Sequence, residues 1–192
     1  MRKVIVTMWV SLDGFIAGPN DEMDWIGGLY NEEMGKYETD LVRAGDTLLL
    51  GRKTYESFAG AWPKVPENPA ASAGEVEYAN IVNAMHKVVV SRTLETAEWN
   101  DSRVVKGNLA EEVAKLKQEP GKDVIIYGSA SIVQALTNFD LVDEYQLLVH
   151  PIVLGSGKPL FKDITGSHKL KLITAKTFDS GVVVLYYEPA QK

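Results

Sequence analysis

The feature that most constrains the fold is a short apolar run that recurs along the chain and leads each time into a turn and a helix. Residues 47–50 form one such run, which ends at Gly51 and is followed by a helical pattern over residues 52–58. Residues 124–127 lead in the same way through small residues into a helix that ends near residue 136. Short runs of this kind are typical of strands covered on both faces. The sequence therefore predicts an α/β fold around a mostly parallel sheet.

The rest of the chain fits this plan and adds an antiparallel edge. Further strands are predicted at residues 4–10, 87–91 and 104–106, and further helices at residues 32–42 and 110–117. In the C-terminal part, strands are predicted at residues 144–154, 169–178 and 182–187. The last two are joined by Asp179-Ser180-Gly181, which is typical of a hairpin turn. Residues 62–73 contain three prolines and predict an irregular surface loop.

Composition limits the class of protein. A chain of 192 residues that is 45% hydrophobic suits one compact domain, which we expect to span residues 1–192. Its 20 basic and 26 acidic residues give a formal net charge of −6, so we expect neither nucleic acid nor an anionic membrane as a partner. Cysteine is absent, which excludes disulfides and thiolate metal sites and is consistent with a reducing compartment.

The N-terminus resembles a signal peptide only in its first residues. Arg2 and Lys3 precede the apolar residues 4–10, but the polar turn at Asp13 ends the run. No uncharged stretch approaches the roughly 18 residues needed to span a bilayer. We therefore expect a soluble, cytoplasmic protein whose first strand begins almost at residue 1.

A cluster of cations marks one predicted helix start. Gly51 permits a tight turn after a strand, and Arg52, Lys53 and Thr54 place two positive charges and a hydroxyl at the beginning of the next helix. Ligands of open α/β sheets bind where strands lead into helices, so this arrangement suits a phosphate monoester. The alternative is a solvated basic helix start. It is disfavoured because cations oppose the helix dipole at that end.

Two further strand ends favour anions less strongly. Ser91 and Arg92 offer a hydroxyl and a guanidinium to a second side of the same phosphate or to its ribose. A polar strand end is common, so this segment alone is equally consistent with a structural role. The small residues Gly128-Ser129-Ala130-Ser131 allow backbone to approach a pyrophosphate closely. They lack the G-x-G-x-x-G pattern, and a structural turn is the alternative.

Conventional catalytic groups are scarce. The three histidines, His86, His150 and His168, lack the close spacing of metal ligands, so no metal is expected. Ser156 lies outside a Gly-x-Ser-x-Gly nucleophile motif. His150 falls in a predicted strand, where histidine is more often a core residue than a catalytic one. Lys158 is a candidate contact for a substrate phosphate.

In this order, the segments resemble the dihydrofolate-reductase-like family, and particularly its branch similar to the reductase domain of the riboflavin-biosynthesis deaminase-reductase. The run Gly51-Arg52-Lys53-Thr54-Tyr55-Glu56-Ser57 is the most specific match, and residues 141–161 closely resemble the signature of the riboflavin branch. The resemblance spans nearly the whole chain and implies a three-layer fold. Two departures stand out. The folate enzyme has consecutive glycines where this chain keeps only Gly128, and no acid follows Trp25 until Glu32 and Glu33.

The resemblance implies an NADPH site with a substrate pocket beside it. The implied cofactor contacts are Gly51, Arg52, Lys53 and Thr54 at the 2′-phosphate, Ser91 and Arg92 at the adenosine end, Gly128, Ser129, Ala130 and Ser131 at the pyrophosphate, and Val10 and Ile16 at the nicotinamide. We predict substrate contacts at Trp9, Leu12, Trp25 and Lys158, and polar catalytic contacts at Asp13 and Glu33.

The implied function is NADPH-dependent reduction of a small heterocyclic substrate, in particular 5-amino-6-(5-phosphoribosylamino)uracil in riboflavin biosynthesis. The chain is expected to be a free-standing reductase of that pathway or a paralogue with another substrate. Dihydrofolate reduction is one alternative, disfavoured by the missing acid on the first helix. A NADP-binding protein without catalysis is another, suggested by the depleted glycine loop. The strand-rich C-terminus offers edges through which a homodimer could form.

Overall fold

The computed structural model describes residues 1–190, which contain an eight-stranded sheet and a two-stranded one. The strands are β1 Val4–Ser11, β2 Phe15–Ala17, β3 Gly45–Gly51, β4 His86–Val90, β5 Ser102–Val105, β6 Asp123–Tyr127, β7 Glu144–His150, β8 Lys158–Pro159, β9 Leu170–Thr177 and β10 Val183–Pro189. The large sheet has the order β5-β4-β3-β6-β1-β7-β10-β9, and β2 pairs with β8. Gln191 and Lys192, the end of the predicted domain, lie outside the described residues.

The predicted mixture of parallel and antiparallel strands is confirmed. From β5 across to β7, each neighbouring pair of strands is parallel. β10 is antiparallel to both β7 and β9, so the C-terminal hairpin forms one edge of the sheet. Its turn contains Gly181 at φ +86°, and backbone hydrogen bonds join Phe178 to Val182 and Gly181 to Phe178.

Helices cover both faces of the sheet and give three layers. They are α1 Asp24–Gly27, α2 Glu32–Ala44, α3 Arg52–Ala61, α4 Ala73–Ala84, α5 Leu109–Gln118 and α6 Ala130–Asn138. Side chains alternate along β1, so Val6 and Val10 pack in a core that includes residues of α5 and α6. Ile5 points the other way and packs with residues of α2 and α4. Both faces of β1 are therefore buried, as the apolar run at residues 4–10 predicts.

The segment predicted as an irregular loop at residues 62–73 is largely ordered, and a helix missing from the prediction follows it. A 3-10 helix spans Trp62–Glu67, and α4 begins directly after Ser72. Ser72 and Glu75 form a capping box in which each side chain accepts a hydrogen bond from the other residue's backbone N–H. This S-x-x-E pattern is a helix-start signal visible in the sequence. The three prolines at residues 62–73 favour a loop in the sequence-based prediction.

The strand predicted at residues 144–154 ends early, at His150. Pro151 follows and has no N–H to donate to the ladder, which explains why the strand stops there. The six parallel strands, β1, β3, β4, β5, β6 and β7, all end on the same side of the sheet. Their last residues are Ser11, Gly51, Val90, Val105, Tyr127 and His150. We call this side the carboxyl edge. No helix of residues 1–190 has the length and apolar character required to cross a bilayer.

Candidate functional site

The turns after β3 and β6 interlock at the carboxyl edge. The Gly51 N–H donates to Ser129 Oγ at 2.8 Å, and Ser129 Oγ donates to Thr54 Oγ1 at 2.8 Å. Gly128 has φ +64°, and a Cβ there would lie 3.0 Å from Thr54 Cγ2. Glycine is favoured at this position both by its backbone angle and by the close approach of Thr54. Two segments distant in sequence thus form one compact corner.

This corner brings together two helix N-termini that have no side-chain cap. The N-cap of α3 is Gly51, which has no side chain, and the N-cap of α6 is Ser129, whose hydroxyl is engaged by Gly51 and Thr54 instead. By contrast, α2, α4 and α5 are capped by Asn31, Ser72 and Asn108. Uncapped N–H groups at the positive end of a helix dipole favour an anion. Here two such ends adjoin.

The predicted cations lie beside this corner and are held by weak, exposed ion pairs. Arg52 Nη1 is 3.0 Å from Glu56 Oε1, one turn along α3. Lys53 Nζ is 3.4 Å from Asp21 Oδ2, and Lys158 pairs with the other oxygen of the same carboxylate. Solvated pairs of this kind contribute at most about 1 kcal/mol, so a phosphate can replace the carboxylates. Asp21 therefore links Lys158 with Lys53 beside the corner.

Ser91 and Arg92 follow β4, the neighbour of β3 at the same edge. Ser91 Oγ accepts hydrogen bonds from the backbone N–H groups of Thr93 and Leu94, at 3.2 and 2.9 Å. Its hydroxyl is therefore already used to shape its own turn. Arg92 is exposed, and none of the ion pairs within residues 1–190 includes it. Of the two, Arg92 is the better placed to meet a ligand.

The residues predicted to contact the nicotinamide and those predicted to contact the substrate lie on different faces of the sheet. Val10 is 4% exposed and packs in the core under α5 and α6, and Ile16 packs against that same cluster. Trp9 points to the opposite face, and Leu12 is 67% exposed on the loop after β1. Val10 and Trp9 are separated because consecutive residues of a strand face opposite ways.

Aromatic side chains collect on the α2 face of the carboxyl edge. The Trp25 ring meets the His150 ring edge-on at 5.1 Å, and Trp9 lies 6.3 Å from His150. His150 is fully buried, and burial lowers its pKa, so the ring is neutral. Its Nδ1 lies 3.0 Å from the Leu148 carbonyl oxygen. Within residues 1–190, His150 Nε2 and Trp25 Nε1 have no hydrogen-bond partner.

The two predicted catalytic acids take structural roles. Asp13 accepts hydrogen bonds from Ser11 Oγ at 2.6 Å and from the N–H groups of Leu154 and Gly155 at 3.1 and 2.7 Å. The Ser11 hydrogen bond, followed by those from Gly155 and Leu154, holds the pKa of Asp13 below its ordinary value. Asp13 thus joins the loop after β1 to the loop after β7 by hydrogen bonds. Glu33 is exposed and pairs with Lys176 of β9 at 3.4 Å.

The structure reveals an acid that the sequence prediction missed. Glu38 lies on α2, is 4% exposed, and accepts hydrogen bonds from the hydroxyls of Tyr127 and Tyr30. Burial raises its pKa to about 7. A signal was present, because Glu38 stands one turn after Met34 and three residues before Leu41, where the helical period predicts an apolar residue. Glu38, and not Glu33, is the buried acid of this helix.

Fold and site together define an α/β protein with two uncapped helix N-termini meeting at the carboxyl edge of its sheet and a cluster of aromatic side chains at the same edge. The family model of the RibD C-terminal domain matches residues 2–184. The chain therefore belongs to the RibD C-terminal domain family.

Three relatives illustrate the match. The uncharacterized protein YyaP of Bacillus subtilis (strain 168) is 41% identical over 186 residues, covering 97% of this chain and 94% of YyaP. A crystal structure named "putative riboflavin biosynthesis protein", from Shewanella sp. PV-4, is 22% identical with a TM-score of 0.76, covering 98% of this chain and 99% of that one.

The third relative is a diaminohydroxyphosphoribosylaminopyrimidine deaminase/5-amino-6-(5-phosphoribosylamino)uracil reductase from Thermotoga maritima. It is 14% identical, with a TM-score of 0.68, and the match covers 98% of this chain and 57% of that protein. The two solved structures establish the likeness of fold.

Proposed function

We propose that the protein is a reductase that uses NADPH to reduce a small substrate that carries a planar heterocycle. The observation that carries this proposal is the meeting of two uncapped helix N-termini, at Gly51 and Ser129, with Arg52 and Lys53 beside them. Membership in the RibD C-terminal domain family supports it, since solved structures of the same fold bear the names of riboflavin-pathway reductases.

The residues at the corner suit the phosphates of NADPH. The first-turn N–H groups of α6 and the turn at Gly128 would hold the pyrophosphate, because these N–H groups have no side-chain cap and favour an anion. Thr54 leaves room only for a glycine at position 128. Arg52 would hold the 2′-phosphate, for which a planar guanidinium can donate two parallel hydrogen bonds. The bound nicotinamide supplies the hydride. The protein's own task is to bind, to orient and to exclude water.

The aromatic cluster at His150 and Trp25 suits a flat substrate that carries both a donor and an acceptor. His150 Nδ1–H donates to the Leu148 carbonyl, which leaves Nε2 as an acceptor, while Trp25 Nε1–H is a donor. Buried groups of this kind cost free energy unless they are paired. A cyclic amide or aminopyrimidine edge would pair with both. We therefore choose 5-amino-6-(5-phosphoribosylamino)uracil as the first acceptor to test, with Lys158 as the contact for its phosphate.

We further propose that the protein works in the cytoplasm as a homodimer. The lack of cysteine supports a reducing compartment. The edge strand β9 supports association, because all its residues after the first are exposed, including Leu172 and Ile173 at about half of their full surface.

The test follows the oxidation of NADPH with the aminouracil and with dihydrofolate as acceptors. Oxidation by the aminouracil supports the proposal, and we expect Arg52→Ala to raise the KM for NADPH. The matched control is Arg103→Ala, which removes an arginine of β5 that pairs with Glu112. Oxidation by dihydrofolate that methotrexate blocks would indicate folate chemistry instead. Binding of NADPH with no oxidation by any acceptor would indicate a binding protein.

A further inference from the structure

A buried carboxyl group without a cation beside it lies behind the Trp9 and Tyr30 rings. Glu38 projects from α2 towards the sheet, and the Tyr127 hydroxyl donates to its Oε1 while the Tyr30 hydroxyl donates to its Oε2 at 3.2 Å. No ion pair within residues 1–190 includes Glu38. A buried charge without a partner costs several kcal/mol, so such a group tends to take up a proton instead.

The groups around Glu38 are four tyrosine hydroxyls and the Trp9 indole. The tyrosines are Tyr30 before α2, Tyr37 on α2, Tyr127 at the end of β6 and Tyr78 on α4, and the acid Glu75 of α4 faces Tyr30. Burial is the dominant influence on Glu38 and raises its pKa to about 7, an effect that the hydrogen bonds from Tyr127, Tyr30 and Trp9 offset in part. A substantial fraction of the molecules therefore carries a proton on Glu38 at neutral pH.

Tyr30 connects this acid with the surface of the protein. Its side chain is 42% exposed, although its hydroxyl bonds to a residue that is 4% exposed. Its ring lies 6.1 Å from that of Trp9. The hydroxyl lies over Gly35 of α2, where a Cβ would come within 3.2 Å of it. The glycine thus leaves room for the tyrosine hydroxyl to reach Glu38.

We propose that Tyr30 and Glu38 form the proton-donating relay of the reduction, with Tyr30 as the catalytic residue and Glu38 as the positioning residue behind it. This inference rests on the proposed function. Addition of a hydride from NADPH to a C=N or C=O carbon moves the π electron pair to the nitrogen or oxygen. When Glu38 is protonated, its carboxyl donates to the Tyr30 oxygen, and the Tyr30 hydroxyl is free to turn towards the substrate. The reduced atom then takes the proton of the Tyr30 hydroxyl, and the Tyr30 oxygen takes the proton of Glu38. The remaining carboxylate is reprotonated from solvent.

Activity with the aminouracil acceptor tests the relay through its pH profile. The wild-type rate should fall about tenfold per pH unit above about pH 7, because the acid form of Glu38 is lost. Tyr30→Phe should lower the rate by about 10²–10⁴-fold, the usual contribution of a general acid. Glu38→Gln should be similarly slow and independent of pH near 7. The control Glu32→Gln, an exposed acid of the same helix, should follow the wild type.

Two readouts do not depend on turnover. NADPH affinity should agree within about twofold among all these variants, since none lies at the phosphate corner. The carbon-13 NMR signal of the Glu38 carboxyl should titrate near pH 7, compared with about 4.3 for an ordinary glutamate. Gly35→Ala, which favours the helix, should slow the reaction by displacing the Tyr30 hydroxyl and leave NADPH affinity unchanged.

The outcomes separate the relay from the proposed function. Turnover with an unchanged pH profile in Glu38→Gln, or a Glu38 carboxyl that titrates near its ordinary value, would overturn the relay alone. Failure of NADPH to bind, or binding without oxidation by the aminouracil or dihydrofolate, would overturn the proposed function and the relay with it.

Discussion

Replacement of Glu38 by glutamine should change how the stability of the fold depends on pH. The pKa of Glu38 rises from an ordinary 4.5 to about 7, a difference of about 2.5. At about 1.36 kcal/mol per pKa unit, the full effect on the free energy of unfolding is about 3 kcal/mol. Because the folded pKa is the higher one, this stabilisation is complete below the unfolded pKa and is lost as the pH rises through 7. The free energy of unfolding of the wild type should therefore fall by about 2.5 kcal/mol relative to that of Glu38→Gln between about pH 5 and about pH 9.

Urea unfolding followed by tryptophan fluorescence measures this difference. The quantity to compare at each pH is the free energy of unfolding of the wild type minus that of Glu38→Gln, which cancels the other titrating groups. Glu32→Gln serves as the control, since this exposed acid should give a difference that stays nearly constant with pH. A Glu38→Gln difference constant to within roughly 0.5 kcal/mol would refute the argument, because it would mean that Glu38 ionises at its ordinary pKa.

Three further predictions concern the corner, the loops and the edge of the sheet. Gly128→Ala should lower the free energy of unfolding by about 1–2 kcal/mol, measured by urea unfolding, and weaken NADPH binding, because the residue has φ +64° and Thr54 stands close to the added Cβ. Asp13→Asn should weaken the hydrogen bonds that join the two loops, and faster hydrogen exchange at the Leu154 and Gly155 amides would show this. Ile173→Lys should reduce a homodimer to a monomer in light scattering if β9 forms the contact, and an unchanged mass would place the contact elsewhere.

Much of the fold could be predicted because its signals are local. The apolar runs at residues 47–50 and 124–127 are each followed by small residues and a helix, and the structure contains both units as β3 with α3 and β6 with α6. The helix α4 was missed although Ser72 and Glu75 announce its start. Its buried residues include Tyr78 and Val82, which pack in the core with residues of α2. The three prolines just before it favour a loop over a helix in this part of the sequence.

The meeting of the Gly51 and Gly128 turns could be predicted for the same reason, since both turns follow strands that end at one edge. The acid could not, because its environment is assembled from distant segments. Glu38 looks like any other acid of α2 until the fold places Tyr127, 89 residues later in the chain, against it. Glu33, an acid nearer to the start of the helix, points towards Lys176 instead. The strand register places Val10 and Trp9 on opposite faces of β1, which apolar composition alone does not show.

NADPH binding at the carboxyl edge is tested most directly by fluorescence titration of the wild type, Arg52→Ala and Arg103→Ala with NADPH and NADH. The wild type should bind NADPH saturably and at least about tenfold more tightly than NADH, a difference of about 1.4 kcal/mol. Arg52→Ala should lose that preference because the partner of the 2′-phosphate is removed, and Arg103→Ala should keep it. Equal affinity of the wild type for both nucleotides, or no saturable binding of either, would contradict the assignment.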